Sequence, residues 1–169
     1  DPVECTSGPD PVLALHGFIA GGDSFINFEN LFVDHGLCHS HFLTLDWNTF
    51  GSSDQVFDDI VNAIEELQTR SGASKVTLIG HSAGGGLALD FLDSPAHQEL
   101  VGHYIHIGSF PEASPEAVPM LNIYSQADLT VTEATAIPEE HVSNIDLVTQ
   151  DHYEIATSPE AFESIKSFL

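Results

Sequence analysis

The sequence predicts an α/β fold, one domain over residues 1–169 with a six-stranded parallel sheet and helices on both faces. Three observations carry that prediction. Apolar, strand-like runs alternate with amphipathic helical stretches along the whole chain. A length of 169 residues with 42% hydrophobic content suits one packed core. At the third strand, the stretch "LIGHSAGGG", Leu78 to Gly86, joins strand to helix through glycines set around Ser82. No internal repeat, low-complexity tract or linker interrupts the pattern.

Each element has its own signal. Val12 to Leu15 is a short apolar run closed by Gly17. Phe25, Phe28, Leu31 and Phe32 follow at helical spacing, with Gly36 as the stop. His41 to Trp47 is the second strand. The stretch after it puts Val56, Ile60, Ile64 and Leu67 on one helical face and Gly72 past its end. Lys75 to Gly80 is a buried strand of β-branched and aliphatic residues, and "GGGLALDFLDS" is the helix after it. Val101 to Gly108, Met120 to Ser125 and Asn144 to Val148 are three more strands. The chain closes on a helix with Ser158 as N-cap and Pro159 at its first position.

Charge narrows the function classes. Three Lys+Arg against 26 Asp+Glu give a formal net charge of −23. Such a chain has no basic footprint for phosphates, which argues against nucleic acid as a partner, and anionic membranes repel it. The acids suit a solvated surface. They equally suit work in high salt, where self-repulsion is screened, or at mildly acid pH, where carboxylates and ten histidines lower the negative charge. No apolar run reaches 18 residues, so no transmembrane segment is expected. The chain opens on Asp1, not Met, which fits removal of a leading segment such as a signal peptide. A secreted or extracytoplasmic monomer is the expectation.

In parallel sheets covered by helices, chemistry collects at the carboxyl ends of the strands. Gly80-His81-Ser82-Ala83-Gly84 is a G-x-S-x-G pattern just past a strand and just before a helix. Small neighbours permit the tight turn that exposes a serine as nucleophile. The competing role, a phosphate-cradling loop, lacks the Gly-Lys-Ser/Thr pattern. A serine nucleophile needs a base, and the base an orienting acid, in the chain order Ser, Asp, His. Asp128 follows the strand Met120 to Ser125, and His152 follows the strand Asn144 to Val148. Asp151 is too close in sequence to face His152, and His141 precedes its strand. The oxyanion donors expected are the N–H groups of Ala83 and Phe18.

Ile19, Phe110, Leu129, Val131 and Ile155 stand in loops after strands and predict an apolar substrate-binding groove. Cys5 and Cys38 precede two strands expected to be parallel neighbours, so a disulfide between them is geometrically plausible. His35, Cys38, His39 and His41 match no closed metal-site spacing. No metal or organic cofactor is expected.

"DPVLALHGF", "FINFENLFVDHG", "GHSAGG", "IYSQADLTV" and "DHYEIATSPEAFESIKSFL" together resemble the small secreted bacterial lipases of the Bacillus lipase A type, from about Pro11 to Leu169. The resemblance implies a minimal α/β-hydrolase of six parallel strands, without a lid, that hydrolyses carboxylic esters, including triacylglycerols. It carries the nucleophile onto Ser82, the acid onto Asp128, the base onto His152, and the oxyanion donors onto Phe18 and Ala83. Two departures stand out: Ala83 where those enzymes commonly have Met, and extreme acidity where they are often basic. A lipase or esterase acting on neutral short- to medium-chain esters is the expected function. An acyltransferase or perhydrolase on the same triad, and a non-catalytic binding domain, are the alternatives.

Overall fold

The computed structural model describes residues 5, 9–18 and 22–169. Six strands, β1 (Val12–Leu15), β2 (Phe42–Leu45), β3 (Val76–His81), β4 (Val101–Ile107), β5 (Met120–Tyr124) and β6 (Val142–Asp146), form one sheet. Their order is β2-β1-β3-β4-β5-β6 and every pairing is parallel. The helices are α1 (Ile26–Asp34), α2 (Ser53–Ser71), α3 (Ala83–Leu92), the single turn α4 (Pro95–Gln98) and α5 (Pro159–Phe168). The strand order reverses at β1, which leaves a crevice beyond the carboxyl ends of β1 and β3.

Alternation along the strands decides which helix covers which face. In β1, Leu13 and Leu15 join the core under α2 and α3, while Val12 and Ala14 join the core under α1 and α5. The 3.6-residue period of α2 sets Ile60, Ile64 and Leu67 fully into the first core. Burying each is worth roughly 1.5–3 kcal/mol. Phe28, Phe32 and Phe162 fill the second core. Ser158 caps α5, its Oγ accepting the Ala161 N–H at 3.1 Å.

β2 is shorter than the expected His41 to Trp47, because His41 closes a 3-10 turn and pairing with β1 ends at Leu45. Two further features stand out. The last strand is Val142–Asp146, two residues earlier than expected. It is an edge strand, so backbone register decides its limits: Val142 pairs Met120 and Asp146 pairs Tyr124. The connections after β4 and β5 also carry no helix. The second is held by side-chain amides instead. Asn144 Oδ1 accepts the Ile137 N–H at 2.8 Å, Asn144 Nδ2 donates to Ile137 O at 2.7 Å, and Asn122 Nδ2 donates to Thr135 O at 2.8 Å. Those bonds satisfy the backbone a helix would otherwise satisfy itself, and let Ile137 reach the core.

Beyond the other edge of β1 and β2, Cys5 is bonded to Cys38 with Cα atoms 4.7 Å apart. The nearby histidines are dispersed onto separate partners: His35 Nδ1 bonds Leu31 O, His41 Nε2 bonds Arg70 O, and His39 faces Glu29. Among the described residues no helix is long and apolar enough to cross a membrane.

Candidate active site

β3 delivers Ser82 to the crevice in a conformation few residues adopt. Its φ is 56° and ψ −120°, and among the described residues it is the only non-glycine with positive φ. Such backbone costs on the order of 1–3 kcal/mol and persists only where the surroundings impose it. Here they do: Ser82 N–H donates to Ile107 O at 2.9 Å, and its carbonyl accepts Gly85 N–H at 2.9 Å and Ser109 Oγ–H at 2.8 Å. α3 begins so close to β1 that a Cβ on Gly84 would lie 2.2 Å from Leu15 O. Only glycine permits that approach.

β1 brings Gly17 and Phe18 against the serine. A Cβ on Gly17 would stand 3.2 Å from Ser82 Cβ and 3.7 Å from its Oγ. Buried His16 secures this turn. Its Nε2 accepts the Trp47 N–H at 3.2 Å, which assigns the proton to Nδ1, the donor to Gly17 O at 2.8 Å. Trp47 Nε1–H donates back to His16 O at 3.0 Å. Ala83 opens α3, so its N–H has no partner within the helix.

The loops after β5 and β6 carry the predicted acid and base. Asp128 is 3% exposed, and its Oδ2 accepts the His152 Nδ1–H at 2.7 Å. Its Oδ1 accepts the N–H groups of Thr130 at 2.8 Å and Val131 at 2.9 Å. A carboxylate at Nδ1 selects the tautomer of the neutral imidazole that carries its proton there, with Nε2 as the acceptor. Gly108, at φ 53°, tightens the assembly: a Cβ there would sit 3.2 Å from His152 Nδ1 and 3.3 Å from Asp128 Oδ2. Exposed Asp151 does not compete for His152. It accepts N–H bonds from Tyr153 and Glu154, both at 2.9 Å, and those bonds hold its carboxyl below the usual range.

His81, between Gly80 and Ser82, is a residue that sequence reasoning did not single out. Its ring lies against that of His152, centroids 4.6 Å apart, and its Nε2–H donates to His152 O at 2.8 Å. Burial, and then the neighbouring His152, lower its pKa to about 4, so it is neutral at pH 7. Its place in the motif was a usable signal, since a residue ending β3 must lie at the carboxyl edge. Tyr153, 68% exposed and edge-on to His152, is the other omission.

Ser82 and His152 open into one pocket of about 300 Å³, with Phe18, Ser24, Thr130, Tyr153, Ala156 and Thr157 among its walls. Phe18 meets Phe50 edge to face at 5.2 Å beside it. The predicted groove residues are placed differently. Ile155 is 0% exposed, committed to the core beneath His152. Leu129, 88% exposed, Phe110 and Val131 are absent from the pocket wall. Leu129 and Phe110 face solvent, and Val131 serves Asp128 through its backbone N–H; hydrophobicity alone does not reveal direction. Ile19 lies outside the described residues. No cluster suited to a metal ion occurs among the described residues.

A sequence model of the alpha/beta hydrolase fold matches residues 10–166. Among solved structures, the chain is similar to a bromoperoxidase from Bacillus anthracis, with TM-score 0.73 and 16% identity over 98% of this chain and 92% of that one. A lipase-esterase related protein from Clostridium acetobutylicum gives 0.72 and 15% over 98% and 97%. An esterase from Pyrococcus furiosus gives 0.69 and 14% over 96% and 83%.

Proposed function

This chain belongs to the alpha/beta hydrolase fold family, and from that premise we propose that it is a serine carboxylic-ester hydrolase. The observation that carries the proposal is the meeting of three chain-distant residues at one pocket. Ser82 stands on a strained turn, and His152 is oriented by a buried 2.7 Å bond to Asp128. That is the arrangement an acyl transfer to water requires.

Each residue then has one role. Ser82 Oγ attacks the ester carbonyl while His152 Nε2 takes its proton. Asp128 keeps the imidazole in that tautomer and stabilises its charged form. The Ala83 and Phe18 N–H groups receive the oxyanion. His152 returns the proton to the leaving alcohol, and a water repeats the sequence on the acyl-enzyme. His81 stays neutral beside the charged imidazole and so adds no repulsion when the charge forms.

A pocket walled by Phe18 and Tyr153, with the small residues Ser24, Thr130 and Thr157 beside them, suits a neutral ester of modest acyl length. A charge of −23 disfavours anionic substrates and favours departure of the carboxylate product. The quoted motif blocks support a place near the small secreted lipases, and with it an exported protein. The test is a p-nitrophenyl ester series from acetate to palmitate on the wild type and Ser82→Ala. Hydrolysis by the wild type alone, strongest at the short to middle lengths, is the expected result. Equal rates for the two proteins would refute the proposal.

A further inference from the structure

Two hydrogen bonds converge on the carbonyl oxygen of Ser82. The Gly85 N–H bond is local to the start of α3, but the Ser109 hydroxyl comes from the turn after β4, 27 residues along the chain. Ser109 is buried and is not a wall of the pocket. Its hydroxyl touches the nucleophile's backbone, not its side chain. That placement gives it a specific lever. The Ser82 C=O and the Ala83 N–H are the two ends of one planar trans peptide and point in opposite directions. Whatever holds the oxygen therefore aims the N–H. Drawing electron density onto the oxygen also makes that N–H a stronger donor.

We propose that Ser109 is a positioning residue of the oxyanion hole: its hydroxyl orients and polarises the Ser82–Ala83 peptide, whose N–H receives the oxyanion. The proposal rests on the ester-hydrolase function proposed above. Ser109 itself never meets the substrate.

The surroundings are built to keep that hydroxyl in place. On one side, Gly108 N–H donates to Ile123 O at 2.9 Å. On the other, His106 Nε2–H donates to Phe110 O at 2.8 Å, and Tyr104 O–H donates to His106 Nδ1 at 2.6 Å. Both side chains are fully buried. From above, a Cβ on Gly85 would fall 2.6 Å from Ser109 Oγ. The second glycine after Ala83 thus makes room for Ser109 as a whole, its Cβ at 2.7 Å included, and for the edge of the His106 ring.

The test compares wild type, Ser109→Ala, Ser109→Cys and Ser109→Thr on one p-nitrophenyl ester. Rates are expressed per site titrated with a phosphonate, so unfolded molecules do not count. Losing a whole oxyanion donor costs on the order of 10²–10³ in kcat. A bond weakened by about 10–30% therefore costs roughly 2- to 8-fold. Ser109→Ala should show that loss in kcat with KM unchanged. Its affinity for an arylboronic acid, which adds to serine as a tetrahedral adduct, should fall by the same factor. Ser109→Thr keeps the hydroxyl and should restore both. Ser109→Cys, a weak donor of similar size, should fall between and carries the test if the alanine variant does not fold. Wild-type kcat in the alanine or cysteine variant overturns the proposal. So does a kcat loss without a matching loss of boronate affinity, or a threonine variant no better than alanine. A wild type that cleaves no ester and takes up no phosphonate overturns the ester-hydrolase function and this proposal together.

Discussion

At Ser82 the local geometry is costly, and neighbouring groups offset that cost. The strained φ of 56° persists because β4 and its following turn bind both peptide groups of the residue. A serine held this way should be the one that reacts. A phosphonate probe is expected to add once per chain, with peptide mapping placing it on Ser82; label on another serine would contradict the assignment. Ser82→Ala and His152→Ala should each lower kcat by about 10⁴–10⁶, and Asp128→Asn by a similar or smaller factor. Two buried histidines make a second prediction at this scale. Burial lowers the pKa of both His81 and His106 from 6.5 to about 4. Between those values the unfolded chain takes up protons that the folded chain refuses. Stability is therefore full above about pH 6.5 and is lost as pH falls toward 4, on the order of 3 kcal/mol for each histidine. In 1 M NaCl, where carboxylate repulsion is screened, Tm should drop between pH 6.5 and 4.5. A flat or rising Tm there would show that the two rings are not held neutral.

Among the elements, α3 depends most on the absence of side chains. Its glycines look interchangeable in the sequence, yet the space around them differs sharply. A Cβ on Gly84 would meet Leu15 O at 2.2 Å, whereas one on Gly86 would meet nothing within 4 Å. Gly84→Ala must push α3 away from β1 and should cost several kcal/mol and most of the activity, because Ala83 and Ser82 move with it. Gly86→Ala should instead stabilise by about 0.5–1 kcal/mol through helix propensity alone. Thermal melts and ester hydrolysis on the two variants check the pair; equal effects would contradict the close approach of helix and strand. β6 illustrates the opposite dependence, an element set by its neighbour. Its sequence is weakly apolar and its limits follow register with β5 and the Asn144 bonds to Ile137.

For the molecule as a whole, unbalanced charge is the largest effect that packing leaves standing. Twenty-six acids face three Lys+Arg, and two ion pairs of that kind form among the described residues, Arg70 with Glu66 and Lys166 with Glu163. Most carboxylates therefore repel one another. Raising NaCl from 0.1 to 1 M shortens the screening length from ~10 Å to ~3 Å. Tm and ester turnover at pH 7 should rise across that range. A melting curve indifferent to NaCl would leave the acids with a solubility role only.

Much of this architecture was legible in the chain itself. The strand Val12–Leu15, the third strand read at Lys75 to Gly80 and found one residue later at Val76–His81, the period of α2, and the Ser158 cap of α5 rest on contacts within a few residues, which local pattern encodes. The order Ser82, Asp128, His152 was legible because a parallel sheet sends every strand's carboxyl end to one edge. What the sequence could not supply was direction and distance between segments remote along the chain. Ile155 and Leu129 are both apolar and both follow strands, yet one is core and the other solvent-facing. The lean of His81 on His152, the room Gly85 leaves for Ser109, and the 2.7 Å bond between Asp128 and His152 exist only after the sheet has closed. Composition and periodicity report what each segment can bury. Which side chains then meet is decided by register and packing across the folded sheet.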